Sequence, residues 1–377
     1  MHKTAGNQSD MAACPACGSQ DSVIVYKKEE AYFANLDISI NLVIEVCGKC
    51  GFVFQSSAYD KSYDGILSKC YNNYNKYLLF PFPNQSIENI KTLQMLLKHI
   101  PDEGDFNILE IGSNRGDMLY MIKKNRPNVT ILGIEPAKME CHKTVPTIRS
   151  IFNIDIISNK FDLVIMQHVF EHVKYPRKFL EAIRHILSDK GMLYIEVPNI
   201  DNVLNYCLDD FVAEHVNYFN CNTLDTMLNT FIPIESDCES FVRTIYKIAP
   251  VGHESNTTYD SEIIHRFNKY KSNREEIINK ICQWSKEDKT LVFYGVSFYY
   301  KMLLRELNQM INIGKCFFCD DNYMEDNEQE FGLRRLKEFN KDCIVIICSN
   351  NFMIQDSIYN KISDRNVFAI IKPWRLP

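Results

Sequence analysis

The stretch that most constrains this chain is a strand–turn–helix unit that begins at Asn107. Residues 107–111 read as a short apolar strand. Glu110-Ile111-Gly112-Ser113-Asn114-Arg115-Gly116 then runs into a helical stretch over residues 117–124. Glycines at such a junction let the backbone approach a ligand at the carboxyl end of the strand. About twenty residues on, Ile131-Leu132-Gly133-Ile134-Glu135 reads as a second strand ending in an acid, placed to accept both hydroxyls of a ribose. Residues 161–166 form another strand. It leads into Gln167-His168-Val169-Phe170-Glu171-His172 and an amphipathic helix over residues 176–187. Residues 191–197 are the next strand, stopped by Pro198-Asn199. Strands alternating with helices predict a parallel sheet with a cleft at its carboxyl edge.

The 377 residues are enough for two or three domains, and 46% hydrophobic with 24% charged residues is the balance of a globular protein. A formal net charge of -6 supplies no general field for nucleic acid. No apolar run is long enough to span a membrane, and the polar start MHKTAGNQSD lacks the apolar core of a signal peptide. The expectation is a soluble, cytoplasmic protein that binds neither nucleic acid nor membrane.

In that setting the 14 cysteines are expected to be thiols and metal ligands rather than a disulfide framework. Single cysteines on apolar stretches (Cys141, Cys207, Cys238, Cys282, Cys343, Cys348) read as small buried hydrophobes. Two pairs differ. Cys14-Pro15-Ala16-Cys17-Gly18 and Cys47-Gly48-Lys49-Cys50-Gly51 are C-x-x-C-G turns, each presenting two thiolates to one tetrahedral zinc. Strand-like segments at residues 23–26 and 43–46 lie between them, as in a zinc ribbon. Four protein ligands close the coordination shell, so this zinc would be structural. The third pair, Cys316 and Cys319, lacks the glycine and sits in an apolar strand, so it reads as core.

A glycine turn followed by a ribose acid suits a dinucleotide or S-adenosylmethionine. The turn here is E-x-G-x-x-x-G rather than G-x-G-x-x-G, and the acid at Glu110 favours S-adenosylmethionine. With Phe161-Asp162-Leu163-Val164-Ile165 and the following E-H-V, this part of the chain resembles a class I methyltransferase. Glu110–Gly116 followed by Leu132-Gly133-Ile134-Glu135-Pro136-Ala137, behind a four-cysteine ribbon, resembles the sugar C-methyltransferase family more narrowly. So do Tyr71, Tyr74 and Tyr77, the stretch Glu214-His215-Val216-Asn217-Tyr218-Phe219, Tyr294-Gly295-Val296 and Asn350-Asn351-Phe352. That resemblance implies a zinc-binding amino-terminal domain (1–70), a methyltransferase domain (71–252), a helical linker (253–285) and a smaller Rossmann-like α/β domain (286–377). It also implies methylation at carbon of a nucleotide-linked keto-sugar in the cleft between the last domain and the core. The chain departs from the family at Val212-Ala213, where a tyrosine and a histidine are usual, at Arg115, where an aspartate is usual, and at the displaced Lys301.

On this reading Glu110, Gly112, Asn114, Gly116, Glu135, Asn153, Gln167 and His168 bind the cofactor, with Glu135 on the ribose and Asn153 on the adenine. His215 is the general base, Glu214 its partner, and Tyr74, Tyr77 and Asn217 face the substrate. Glu171-His172 reads as hydrogen bonding at a helix start. An oxygen or nitrogen acceptor, an RNA substrate and a non-catalytic pathway scaffold are the alternatives.

Overall fold

The computed structural model describes residues 12–32, 38–60, 63–66, 69, 85–206, 211–250, 262–287, 289–295, 298–321, 327–328, 333–349, 352–365 and 367–371. The chain divides into two compact units, residues 1–200 with 212–263, and residues 201–211 with 264–377.

The first unit opens with a ribbon of three antiparallel strands, β1 (Ser22–Tyr32), β2 (Ser39–Cys47) and β3 (Val53–Gln55). Helix α1 (Gln85–Leu97) leads to the alternating part of the chain. There follow β4 (Asn107–Ile111), α2 (Asp117–Asn125), β5 (Thr130–Ile134), β6 (Thr147–Ile148) and β7 (Phe161–Gln167). Next come α3 (Pro176–Ile186), β8 (Leu187–Pro198), α4 (Ile200–Tyr206), which from Asp201 belongs to the second unit, then β9 (Asn217–Tyr218), α5 (Cys221–Met227), β10 (Phe231–Asp237) and β11 (Phe241–Ile248). The expected strands and helices are present here, with ends shifted by a few residues.

The sheet order is β10-β11-β8-β7-β4-β5-β6, and β5, β4, β7 and β8 run parallel. From β4 the chain steps first to one side and later to the other, which opens a crevice at the strands' carboxyl ends. Successive residues feed opposite faces, as the period of two requires. Leu109, Ile111, Val164 and Met166 join one core, while Ile108, Leu163 and Ile165 join the other with Met95, Leu96, Met118 and Leu119 from α1 and α2. Helix α3 starts on Pro176, which fits a first helical position, and buries Leu180, Ile183 and Ile186 at helical spacing.

Ribbon and core lie in the same compact unit, and β9 adds to the ribbon's β3 as its fourth strand. Cys14, Phe52 and Phe54 also pack into the same core as the sheet residues. Cys221 and Cys238 stand side by side, their Cα atoms 6.4 Å apart, and pack partly buried against the core of the first unit. Cys343 and Cys348 are buried as expected, Cys141 and Cys282 are half-buried, and Cys207 lies outside the described residues.

The second unit contains α6 (Ile263–Lys286), counted from Ile264. Strands β12 (Thr290–Tyr294), β13 (Phe317–Cys319), β14 (Asn327–Glu328), β15 (Leu333–Arg335), β16 (Cys343–Ile347) and β17 (Ala369–Ile371) make a sheet of order β14-β15-β13-β12-β16-β17, parallel except at β14. Helices α7 (Phe298–Leu307) and α8 (Phe352–Ile362) complete the second α/β fold. Among the described residues no helix is long and apolar enough to cross a membrane.

A buried ion network crosses the first sheet. Arg243 on β11 faces Glu196 on β8 as a cross-strand pair, with Nε 2.9 Å from the carboxylate. It also binds Glu88 of α1 and, at 3.0 Å, Asp237. Glu196 accepts further bonds from Thr92 and Tyr194, each at 2.7 Å. Removing the one guanidinium would strand two buried carboxylates, so Arg243→Met is expected to destabilise the fold by about 3–5 kcal/mol. A denaturant titration checks this, and an unchanged midpoint would contradict it.

Candidate functional site

The loop after β4 is pinned where a ligand would meet it. The N–H groups of Gly112 and Ser113 donate to the Ile134 carbonyl, at 2.8 and 3.1 Å. Gly112 has φ 71°, and a Cβ there would run into the side chain of Val169. The glycine is therefore required by backbone conformation and by the β7 loop packed on it, and not only by space for a ligand. Among the described residues, Asn114 (φ 51°) and His168 (φ 53°) are the non-glycine residues in the left-handed region. They sit just past the ends of β4 and β7, and strain of this kind gathers at functional sites.

Glu135 follows β5, as expected, and is 7% exposed. Its carboxylate accepts N–H bonds from Asn114 (2.9 Å) and Ala137 (2.8 Å), which hold it firmly and leave lone pairs for a ligand. Glu110 is buried, and burial together with Asp117 and Glu135 pushes its carboxyl well above the ordinary range. One oxygen of Glu110, the hydroxyl of Ser113 and the side-chain oxygen of Asn114 are buried without hydrogen-bond partners among the described residues. Orphaned acceptors along a glycine loop fit a ligand that brings N–H donors and positive charge. S-adenosylmethionine, with its ammonium and sulfonium, is such a ligand. Asn153 is exposed and caps a short 3-10 turn, accepting from the Asp155 N–H at 3.2 Å.

Beyond β7 lies a cluster that sequence reasoning missed. Glu171 is 1% exposed and does not bond a helix start, which corrects that expectation. The His168 Nδ1 is 3.5 Å from its carboxylate, and the His168 Nε2 is 3.3 Å from Glu196. Desolvation works against a charge on His168, but the two carboxylates outweigh it and raise the imidazole to about 10. Burial likewise opposes ionisation of Glu171, yet His168, His172 and His215 bring its carboxyl below the usual range. For Glu196, His168 and Arg243 overcome burial and bring it to about 2.

His215 reaches this cluster because its segment is held by hydrogen bonds from both sides. On the ribbon side, Gln55 N–H donates to the Val216 carbonyl (2.8 Å) and Tyr63 Oη to the Ala213 carbonyl (2.6 Å). On the β7 side, Val216 N–H donates to the Glu171 carbonyl, His172 Nδ1 to the Glu214 carbonyl, and Asn217 Nδ2 to the Val173 carbonyl, all at 2.8 Å. Asn217, expected at the substrate, is 1% exposed and serves this ladder. Glu214 contributes its main-chain carbonyl. The rings of His172 and His215 lie 5.0 Å apart. Gln167 is half-buried at the end of β7, while Tyr74 and Tyr77 lie outside the described residues.

The four ribbon cysteines converge. Cys14 Sγ is 3.7 Å from Cys50 Sγ, and Cys17 Sγ is 3.5 Å from Cys47 Sγ. Four thiolates about 2.3 Å from a central zinc stand about 3.8 Å from one another, so the donor set fits that ion.

Residues 79–231 match the methyltransferase-domain family, which spans the glycine loop, Glu135 and His215. An uncharacterized protein of Methanocaldococcus jannaschii is 29% identical over 189 residues, 50% of this chain and 81% of that protein. The C-methyltransferase NovU of Streptomyces niveus is 27% identical over 139 residues, and a tRNA U34 carboxymethyltransferase of Desulfotalea psychrophila is 28% identical over 127 residues. These matches cover 34% and 30% of this chain, and only 32% and 39% of the two relatives. Residues 79–231 of this chain are thus similar to methyltransferase domains.

Two substitutions test the cofactor loop. Gly112→Val is expected to abolish S-adenosylmethionine binding by displacing the loop against Val169. Glu135→Ala is expected to weaken it by about 1–3 kcal/mol, the scale of a charged hydrogen bond. Calorimetric titration reads both, and unchanged affinity in the pair would refute the site.

Proposed function

We propose that this protein is an S-adenosylmethionine-dependent methyltransferase acting on a small molecule, in the leading reading a nucleotide-linked keto-sugar methylated at carbon. The observation that carries it is the pairing of two sites at one sheet edge. A cofactor loop rich in orphaned acceptors packs through Gly112 on Val169, two residues before the buried carboxylate–imidazole cluster. When bound, the cofactor supplies a methyl group on a sulfonium. The residues must then align the acceptor in line with that methyl and remove one proton. The Glu171–His172–His215 cluster is where we place proton removal, with His215 as the expected base. The new bond forms between acceptor and methyl, the C–S bond breaks with its electron pair to sulfur, and the acceptor's proton goes to the imidazole.

Carbon methylation is supported by the likeness to NovU, by the four-cysteine ribbon and by the Glu214-His215 motif. Val212 and Ala213, in place of the usual tyrosine and histidine, leave an oxygen or nitrogen acceptor as the second outcome of the assay. Zinc held by Cys14, Cys17, Cys47 and Cys50 would be structural, tying the ribbon that clamps the His215 segment.

Incubation with methyl-labelled S-adenosylmethionine and a panel of nucleotide-linked sugars, read by mass spectrometry, tests the function. His215→Gln is expected to keep cofactor affinity and lose roughly 10²–10⁴-fold in turnover. Cofactor binding with no transfer to any small molecule would turn the reading toward a scaffold or an RNA acceptor. For the ribbon, elemental analysis is expected to find about one zinc per chain, lost in Cys47→Ser. Full zinc retention after replacement of all four cysteines would contradict that assignment.

A further inference from the structure

We propose that Glu171, His172 and His215 form a site for one divalent transition-metal ion, distinct from the four-cysteine centre, whose open coordination positions receive oxygen atoms of the methyl acceptor. The inference rests on the methyltransferase reading for its role and changes how the cluster acts.

One ligand atom from each of the three residues lies within 4.8 Å of the others. The His172 Nε2 is 3.9 Å from the Glu171 carboxylate. An ion about 2.1 Å from each ligand tolerates separations up to about 4.2 Å, so small side-chain rotations complete the site. The imidazole of His172 is prepared for this. Its Nδ1–H donates to the Glu214 carbonyl at 2.8 Å, which leaves the Nε2 lone pair directed at the cluster. Metal-binding histidines are oriented in this way by a carbonyl on the other ring nitrogen.

The independent observation is Glu171 itself. Its side chain is 2% exposed, and neither carboxylate oxygen has a hydrogen-bond partner among the described residues. Burying an ion without hydrogen bonds is costly. The His168 ion pair at 3.5 Å lies beyond good hydrogen-bond geometry, whereas neighbouring Glu196 has Arg243, Thr92 and Tyr194. His168 compensates the charge from one side, and a metal ion among Glu171, His172 and His215 would supply the close ligand contact that the carboxylate oxygens lack.

Two imidazoles and one carboxylate on one side of an ion suit manganese, iron or zinc in the divalent state, with the remaining positions open. Coordination of an acceptor hydroxyl or enol to such an ion lowers its pKa. With the ion bound, His215 would serve as a ligand in place of the base role given above, and the proton would leave to solvent water while the oxygen stayed on the ion.

Mn²⁺ is the suitable probe, because a hard ion prefers carboxylate and imidazole to the thiolates of the ribbon. Titration of the full chain, followed by electron paramagnetic resonance, is expected to show one saturable Mn²⁺ site. Glu171→Gln, His172→Ala and His215→Ala should each weaken it by more than about 100-fold. Cys47→Ser should leave it intact, and calorimetry should find S-adenosylmethionine affinity retained in the three variants. No saturable Mn²⁺ binding by the wild type, or equal binding in all three variants, would overturn the site. A protein that holds Mn²⁺ through these residues but fails to bind S-adenosylmethionine would support the site and refute the methyltransferase reading.

Discussion

A carboxylate taken out of water must find compensating charge, and Glu171 is the place where that requirement shapes this protein. It is buried at the exit of β7 and faces three imidazoles, His168, His172 and His215. One of them, His168, is clamped to a second buried acid, Glu196, which is itself tied to Arg243. The polar chain thus runs from the sheet's antiparallel edge to the carboxyl edge where the cofactor loop lies. Such networks are rigid only when every member is satisfied. The part that is not fully satisfied is the part at the crevice.

The ribbon gains a purpose from the same geometry. It adds its third strand to β9 and holds the main chain at Val216, while the β7 turn holds the neighbouring positions from the other side. The backbone around His215 is thereby held from both sides. A rigid support of this kind is what a catalytic imidazole or a metal ligand needs. Cys47 and Cys50 immediately precede β3, and the four cysteines lie in or against the same hydrophobic core as the strands of the sheet.

Much of the fold was legible because its signals are local. The turn at Gly112, the acid at Glu135 and the alternating strands around them are read within windows of a few residues, and the structure places them where the pattern put them. The active cluster was harder to read, because its members come from two distant segments brought together by the ladder around Val216. Glu171-His172 looked like the start of a helix, and they lie in a short 3-10 turn (Phe170–His172) ahead of α3. The spacing of His168, Glu171 and His172 was the available signal. Its weight depended on knowing that His215 lies opposite, and pairing of β3 with β9 cannot be seen in either strand alone.

The central claim is that the glycine loop and the carboxylate–imidazole cluster form one active site. A crystal structure with S-adenosylhomocysteine bound tests it most directly. The account predicts the ligand along residues 110–116, its ribose on Glu135 and its sulfur turned toward Glu171, His172 and His215. A ligand bound elsewhere, or one whose sulfur points away from that cluster, would contradict it.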